Sequence, residues 1–453
     1  MSSLQPTPTM VYSYVSACTA VVLGLLLFAQ RKPSSSAAAN STHTAASNSF
    51  RQFQWRFLTV YLVMTAADWA QGPYVYNLYE HYGFSIAQNG QLFIAGFGAS
   101  LTLGTIAGSL ADKRGRKFGA VLYGLLYMAS CVTKHFNSFP VLIVGRVLGG
   151  IATSLLFSVF EAWMVAEHEK AGFDSTWLAS TFAYMSVGNG IVAILAGWAA
   201  QAAVDLAGHP VAPFDFSFAL LAVGTVAVWS TWGENFGQAG SDLQSNLADA
   251  WRAIRTDRSV LLLGTLQSLF EGAMYTFVFI WTPALQEGAT TSLPLGTIFA
   301  TFMICCAIGG ALFKWVSSSG GAAVDMRSVL FGVFLCATVS LAVPAITTAT
   351  HARFAAFLLY EVAVGVFWPG MGTLRAACVD ERVRATILNL FRVPLNVMVC
   401  VILLYVGQLA ISTVCLLLAA TQAGCCALIW MMPAGTSNRS PPSTSQAHAQ
   451  DKV

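Results

Sequence analysis

In Gly108-Ser-Leu-Ala-Asp112-Lys113-Arg114-Gly115-Arg116-Lys117 an apolar run ends at small residues, a short basic turn follows, and a second apolar run begins at Phe118. Gly108, with Gly104 one helical turn before it, lets a neighbouring helix approach closely. Gly115 permits a tight turn. Asp112 can accept from the N-terminus of a neighbouring helix, and Arg116 and Lys117 can find carboxylates or lipid phosphates. The stretch reads as a joint between two helices at a charged boundary.

The rest of the chain makes that boundary a membrane surface. Of 453 residues, 56% are hydrophobic and 9% charged, with a mean hydropathy of +0.64. A soluble domain carries roughly a quarter charged residues, so there is too little charge here to coat a water-facing surface. Apolar runs of about 20 residues recur, the length that crosses a hydrocarbon core of about 30 Å. The chain is therefore predicted to be an all-α, multi-spanning membrane protein. Alternating patterning over ten-residue segments is absent, which argues against a membrane β-barrel. A net charge of +3 argues against nucleic acid as a partner. The ten cysteines lie mostly inside apolar runs and have no metal-ligand spacing, so no metal or cofactor is expected. No nucleophile–base pair or phosphate loop of the G-x-x-x-x-G-K-[ST] type appears, and the loops leave no room for a catalytic domain, which argues against an enzyme and against ATP drive.

An apolar segment at residues 10–30 precedes a stretch rich in Ser, Ala and Asn. Six spans are predicted at 57–79, 88–111, 118–136, 139–165, 177–203 and 213–232. Six more are predicted at 259–282, 294–316, 327–347, 353–375, 384–409 and 411–432. The division is thus 1–56 for the extra helix and its linker, 57–232 for the first half, 233–258 for a central loop, 259–432 for the second half, and 433–453 for a tail whose composition predicts disorder. The first segment has no Lys or Arg before its apolar core and has Arg31 and Lys32 directly after it, the opposite of a cleavable signal. With residues 31–56 in the cytoplasm, nineteen Lys and Arg fall inside and only Lys134 and Arg353 outside, while Arg146 and Arg392 remain within spans, which accounts for all 23. This bias places the N-terminus outside and the C-terminus in the cytoplasm.

The decamer resembles the signature of the major facilitator superfamily and sits in the expected loop. The equivalent loop near Lys314–Arg327 lacks it. The resemblance implies two pseudo-symmetric six-helix halves around a central cavity, here with one extra N-terminal helix. It also implies that Gly108, Asp112, Gly115, Arg116 and Lys117 belong to a cytoplasmic gate. Longer stretches are similar to the molybdate-anion transporter branch. They include Ala67-Asp68-Trp69-Ala-Gln71-Gly-Pro73-Tyr74, Gly145-Arg146-Val-Leu-Gly149-Gly150, Phe160-Glu161-Ala-Trp163, Trp232-Gly-Glu234-Asn235, Leu263-Gly-Thr-Leu-Gln267-Ser-Leu-Phe270-Glu271 and Asn389-Leu-Phe391-Arg392-Val-Pro394. That likeness implies import of molybdate by alternating access across the plasma membrane, by a monomer.

Charges inside spans must face water or partners. A tetrahedral dianion needs several N–H or O–H donors and at least one cation. Arg392 is the first candidate, with Asn389 and Asn396 on the same helix face. Two readings stay open for it: oxyanion ligand, or structural partner of a carboxylate. Arg146 and Gln71 are further binding candidates, and Pro73 can bend the helix after Gln71. Asp68, Glu271 and Glu361 are better read as proton carriers or arginine partners, because a carboxylate repels a dianion. Glu161 lies about 22 Å beyond Arg146 along one helix, which suits a gate salt bridge near Arg116 and Lys117. Carriers of another anion, a sugar or an organic solute fit the same charges. A sensor or scaffold of transporter ancestry is the alternative of another class.

Overall fold

The computed structural model describes residues 8–30, 44–237, 243–319, 324–379 and 381–433. Most of the polar insert after residue 30 and nearly all of the tail lie outside them. Every regular element among the described residues is helical. The extra segment forms α1 (Pro8–Ala29). The first half comprises α2 (Thr44–Gln71), α3 (Val75–His81), α4 (Ile86–Arg114), α5 (Arg116–Thr133), α6 (Phe139–Lys170), α7 (Ser175–Ala207) and α8 (Ala212–Thr231). A short amphipathic helix, α9 (Leu243–Thr256), lies in the segment expected to be a loop. The second half comprises α10 (Arg258–Gln286), α11 (Leu295–Ser319), α12 (Met326–Ile346), α13 (Thr350–Cys378), α14 (Glu381–Tyr405) and α15 (Ile411–Trp430).

Local chemistry sets the ends of these helices. Ser85 and Gln88 form a reciprocal capping box on α4. The carboxylates of Asp174, Asp257 and Asp325 accept from the first backbone N–H groups of α7, α10 and α12. Gly115 separates α4 from α5 at φ 122°, a conformation that disfavours a side chain. Pro73 sits in a 3-10 turn, Gly72–Tyr74, that breaks the first span into α2 and α3.

Nine helices among the described residues are long and apolar enough to cross a membrane, and α4, bent by 41°, makes a tenth. Those falling short are α2, α5 and α10. The first helix of each half, α2 and α10, carries Asp68 and Gln71 or Gln267 and Glu271 within its apolar length. Polar groups there are tolerable only against protein or water.

The packing repeats between the halves. In the first, α4 packs on α6, α5 on α6, α2 on α7 and α8, and α5 on α8. In the second, α11 packs on α13, α12 on α13, α10 on α14 and α15, and α12 on α15. Each pair maps onto its counterpart when the six spans are matched in order. The two halves meet through α7 with α11 and α4 with α14, a pair of contacts that the same mapping exchanges.

These seams are backbone contacts made possible by glycine. A Cβ on Gly296 would lie 2.4 Å from the Gly197 carbonyl oxygen, and one on Gly90 would lie 2.7 Å from that of Leu403. Both lie at the end of the molecule opposite the α4–α5 turn. We call it the seam end, and the other the basic end. Rings also cross there: Phe93 and Tyr76 pack edge-on against Phe279, and Phe97 against Tyr275. Gln286 donates to Glu80 at 2.8 Å, and Gln201 accepts from the Gly296 N–H at 3.1 Å. Helix α1 lies along α11, with Tyr12 against Phe354 and Ser16 accepting from Trp198 at 3.3 Å.

The two cations that stood apart from the charge bias are buried pins. Arg353, 1% exposed, donates to the carbonyls of Ala284, Pro344 and Thr347 and pairs with Glu287 at 2.6 Å. It gathers the ends of α10 and α12 around the start of α13. Lys134, 2% exposed, bonds the Tyr79 hydroxyl at 2.8 Å, and Tyr82 donates to its carbonyl.

Candidate functional site

The C-terminal half assembles the charged cluster that best suits an anion. Small residues let α10 and α14 close: Gly264 sits under the Phe391 ring, Gly272 under Met398, and the Ser268 hydroxyl donates to the Phe391 carbonyl at 2.9 Å. That contact sets Arg392, the next residue, beside α10. Glu271 is buried and accepts from Gln267 at 2.8 Å. Arg375 and Arg392 are the nearby cations, neither at ion-pair distance from it, and Tyr275 follows one turn on along the same helix. Neither arginine has an ion pair among the described residues. Arg392 and Asn389 are exposed. Asn396 commits its amide N–H to the Arg392 carbonyl at 2.7 Å, which leaves its oxygen as an acceptor. The cluster thus combines a buried carboxylate with an exposed and a half-buried guanidinium. Arg375 had not been singled out in the sequence. It lies near the end of α13, where a basic residue reads as an inside-loop charge, and only tertiary packing aims it at Glu271.

The other candidates lie elsewhere. Arg146 donates to the Leu92 carbonyl at 3.1 Å and stands 4.5 Å from the centre of the Phe93 ring. Gly96 leaves room for its guanidinium, since a Cβ there would meet Nη2 at 2.8 Å. It is wedged between α4 and α6 and is not brought to Arg392. Gln71 donates to Ser217 at 2.9 Å and serves the α2–α8 interface. Asp68 accepts from the Tyr127 hydroxyl at 2.6 Å. Glu361 is buried on α13 near Cys305 and Cys306 of α11, with no ion pair among the described residues.

The α4–α5 turn is bound into its own half. Arg116 pairs with Asp112 at 2.9 Å and donates to the Ala162 carbonyl at 3.1 Å. Glu234 caps α5: its carboxylate accepts from the N–H groups of Lys117 and Phe118 at 2.8 and 3.2 Å. The Arg116 N–H donates to the Asn235 carbonyl, and the Gly237 N–H to that of Asp112, each at 2.9 Å. Trp163 stacks on Trp232 with centroids 3.8 Å apart and donates to the Gly233 carbonyl at 2.8 Å. Asn235 donates to Trp163 and Glu167. The two Trp-containing stretches, far apart in sequence, are the two faces of one joint. Glu161 is exposed and has no ion pair among the described residues. It shares a cavity of about 720 Å³ at the basic end with Arg116, Ser158, Glu169, Lys170 and Phe236.

A major facilitator family model, described as sugar transporters with 12 TM, matches residues 11–356. The Molybdate-anion transporter of Xenopus tropicalis is 39% identical over 365 residues, 79% of this chain and 80% of that protein. That of Xenopus laevis is 38% identical over 382 residues, 83% of each. Among solved structures, an auto-inhibited POT family peptide transporter superposes with a TM-score of 0.69 at 9% identity, over 86% of this chain and 100% of that one.

Proposed function

This chain belongs to the major facilitator superfamily, in the family of the molybdate-anion transporters, and from that premise we propose that it carries molybdate across the plasma membrane by alternating access. The observation that carries the reading is that α14, the helix of Arg392, is packed against α10, the helix of the buried Glu271, through Gly264, Gly272 and the Ser268–Phe391 hydrogen bond, while Arg392 and Arg375 have no ion pair among the described residues. A tetrahedral dianion takes short charge-assisted hydrogen bonds from such a pair, and Asn389 adds a neutral amide donor. The closed seam end and the exposed Arg392 describe the state that receives or releases cargo at the basic end. The positive-inside bias makes that end cytoplasmic, with the C-terminus inside and the start of α1 outside. Both halves belong to one chain, so the alternating movement needs no second copy.

Coupling to protons follows from charge balance. Bringing a dianion into a negative interior costs about 4.6 kcal/mol per 100 mV, twice the single-charge value. An ionised Glu271 carboxylate repels the dianion near the two arginines. Protonating it removes that repulsion, and the loaded cluster becomes neutral: two cations, one dianion and one neutral acid. Cargo and proton then bind together and leave together, and the one proton offsets about half of that cost, roughly 2.3 kcal/mol per 100 mV.

The test is molybdate uptake by cells lacking their own importer, with wild type and Arg392→Ala expressed to equal surface levels and excess sulfate or sugar as competitor. Saturable uptake that resists both competitors and falls at least tenfold in the variant is expected. Uptake blocked by sugar, or equal in the variant, would overturn cargo or site respectively.

A further inference from the structure

Helix α9 carries two faces of different chemistry. Ala250, Ala253 and Ile254 pack inward, and the helix rests on α14 and α10. Trp251, Arg255 and Arg258, spaced four and three residues apart, are exposed. The four-residue spacing puts Trp251 and Arg255 on one side of α9, and Arg258 follows the break at Asp257 as the first residue of α10. The Arg255 guanidinium lies 5.8 Å from the Trp251 ring centre. Arg252 is paired with Asp249 at 3.0 Å, whereas Arg255 and Arg258 have no ion pair among the described residues.

Their depth is set by the chain itself. Arg258 opens α10, and the apolar run of that span begins at Val260. Arg255 and Arg258 therefore stand within about two helical turns of the hydrocarbon edge, at the level of lipid headgroups. Tryptophan with arginine is the pairing that anchors a helix in that layer. Unpaired guanidiniums suit phosphate oxygens through forked hydrogen bonds.

We propose that Trp251 and Arg255 on the exposed face of α9, with Arg258 at the start of α10, bind the headgroups of anionic lipids in the leaflet at the basic end. The occupant is a phospholipid bearing net negative charge. Because α9 packs on α14, the helix of Arg392, headgroup binding bears on the position of the transport site without depending on which cargo is carried.

The test uses the full chain in phosphatidylcholine nanodiscs containing spin-labelled phosphatidylserine, with the protein-immobilised fraction as readout. Charge attraction near a bilayer predicts about fivefold in apparent affinity per arginine, so the Arg255→Gln/Arg258→Gln variant loses roughly 25-fold. Arg252→Gln, whose arginine is already paired, stays within about twofold of wild type, and Arg255→Lys/Arg258→Lys keeps most of the binding. Equal immobilisation in wild type and the glutamine double variant would overturn the proposal and leave a merely solvated face. So would a loss as large in Arg252→Gln as in the double variant. A thermal melt of each variant separates lost headgroup binding from lost folding. The readout needs no transport, so failure of the molybdate assignment would leave this result standing, and the reverse.

Discussion

At the seam end the halves touch backbone to backbone, and Arg353 and Lys134 are buried there, hydrogen-bonded to carbonyls and to the Tyr79 hydroxyl respectively. At the basic end Arg392 and Glu161 are exposed and Arg375 is half-buried, and none of the three has an ion pair among the described residues. The contrast separates two uses of charge in one membrane protein. Arg353 and Lys134 hold helix ends together, and nothing about them invites a ligand. Arg392 and Arg375 keep unused bonding capacity beside a single buried carboxylate. Charge that is already engaged builds the scaffold, and the proposed cargo site draws on the charge left unpaired.

Breaking a pin at the seam end should have the largest effect on stability. Arg353→Met leaves three carbonyls without their donor and Glu287 without its partner. A loss of about 3 kcal/mol is expected in thermal or denaturant melts of the detergent-solubilised protein. A loss below about 1 kcal/mol would mean that the seam end does not depend on its buried cation.

Crowding the seam should act on conformation more than on folding. Gly296→Leu puts a side chain against the Gly197 carbonyl and clashes only while the halves are closed there. An overpacking cost of about 2 kcal/mol on that state shifts the balance some 30-fold towards opening at the seam end. Spin-label distances between the ends of α7 and α11 report it. An unchanged distance distribution would show that the glycine contact is incidental.

At the basic end the largest structural effect belongs to Glu234. Glu234→Ala removes the acceptor for two N–H groups at the start of α5 and should cost about 1 kcal/mol, with faster hydrogen exchange confined to residues 115–119. Exchange that spreads through the whole first half would contradict a local joint.

The smallest effect concerns the loop after α7. Burial first, and then the neighbouring His81 and His135, hold the His209 imidazole below its ordinary 6.5, with Asp215 opposing. The unfolded chain takes up the proton before the folded loop does. The loop is therefore at full stability above pH 6.5 and weakens as the pH falls below it. His209→Gln should flatten that slope in a pH series of melts, and an unchanged slope would assign it to other groups.

Much of this architecture was legible in the sequence, because span length and the Gly108–Lys117 turn are local properties. The anion cluster was half legible. Arg392 and Glu271 stand out as charges inside apolar runs, whereas Arg375 sits where a basic residue is ordinary. The cap supplied by Glu234 and the burial of Lys134 and Arg353 depend on contacts between distant segments, which periodicity does not encode. Helix α9 is too short and too polar to register as a span, and its faces become distinct only against α10 and α14. Asn389 and Asn396 show the limit of face arithmetic: they share a face with Arg392 as read, yet one amide turns back to the backbone.

Molybdate binding to the purified wild type, Arg392→Gln and Glu271→Gln proteins, followed by calorimetry across a pH series, bears most directly on the anion cluster. Arg392→Gln should bind at least tenfold more weakly, as expected for a lost charge-assisted ligand. Glu271→Gln should bind as tightly as wild type at low pH and lose the pH dependence, because its neutral amide does not repel the dianion at any pH. Wild-type affinity in Arg392→Gln, or an undiminished pH dependence in Glu271→Gln, would contradict a site built from these two arginines and that carboxylate.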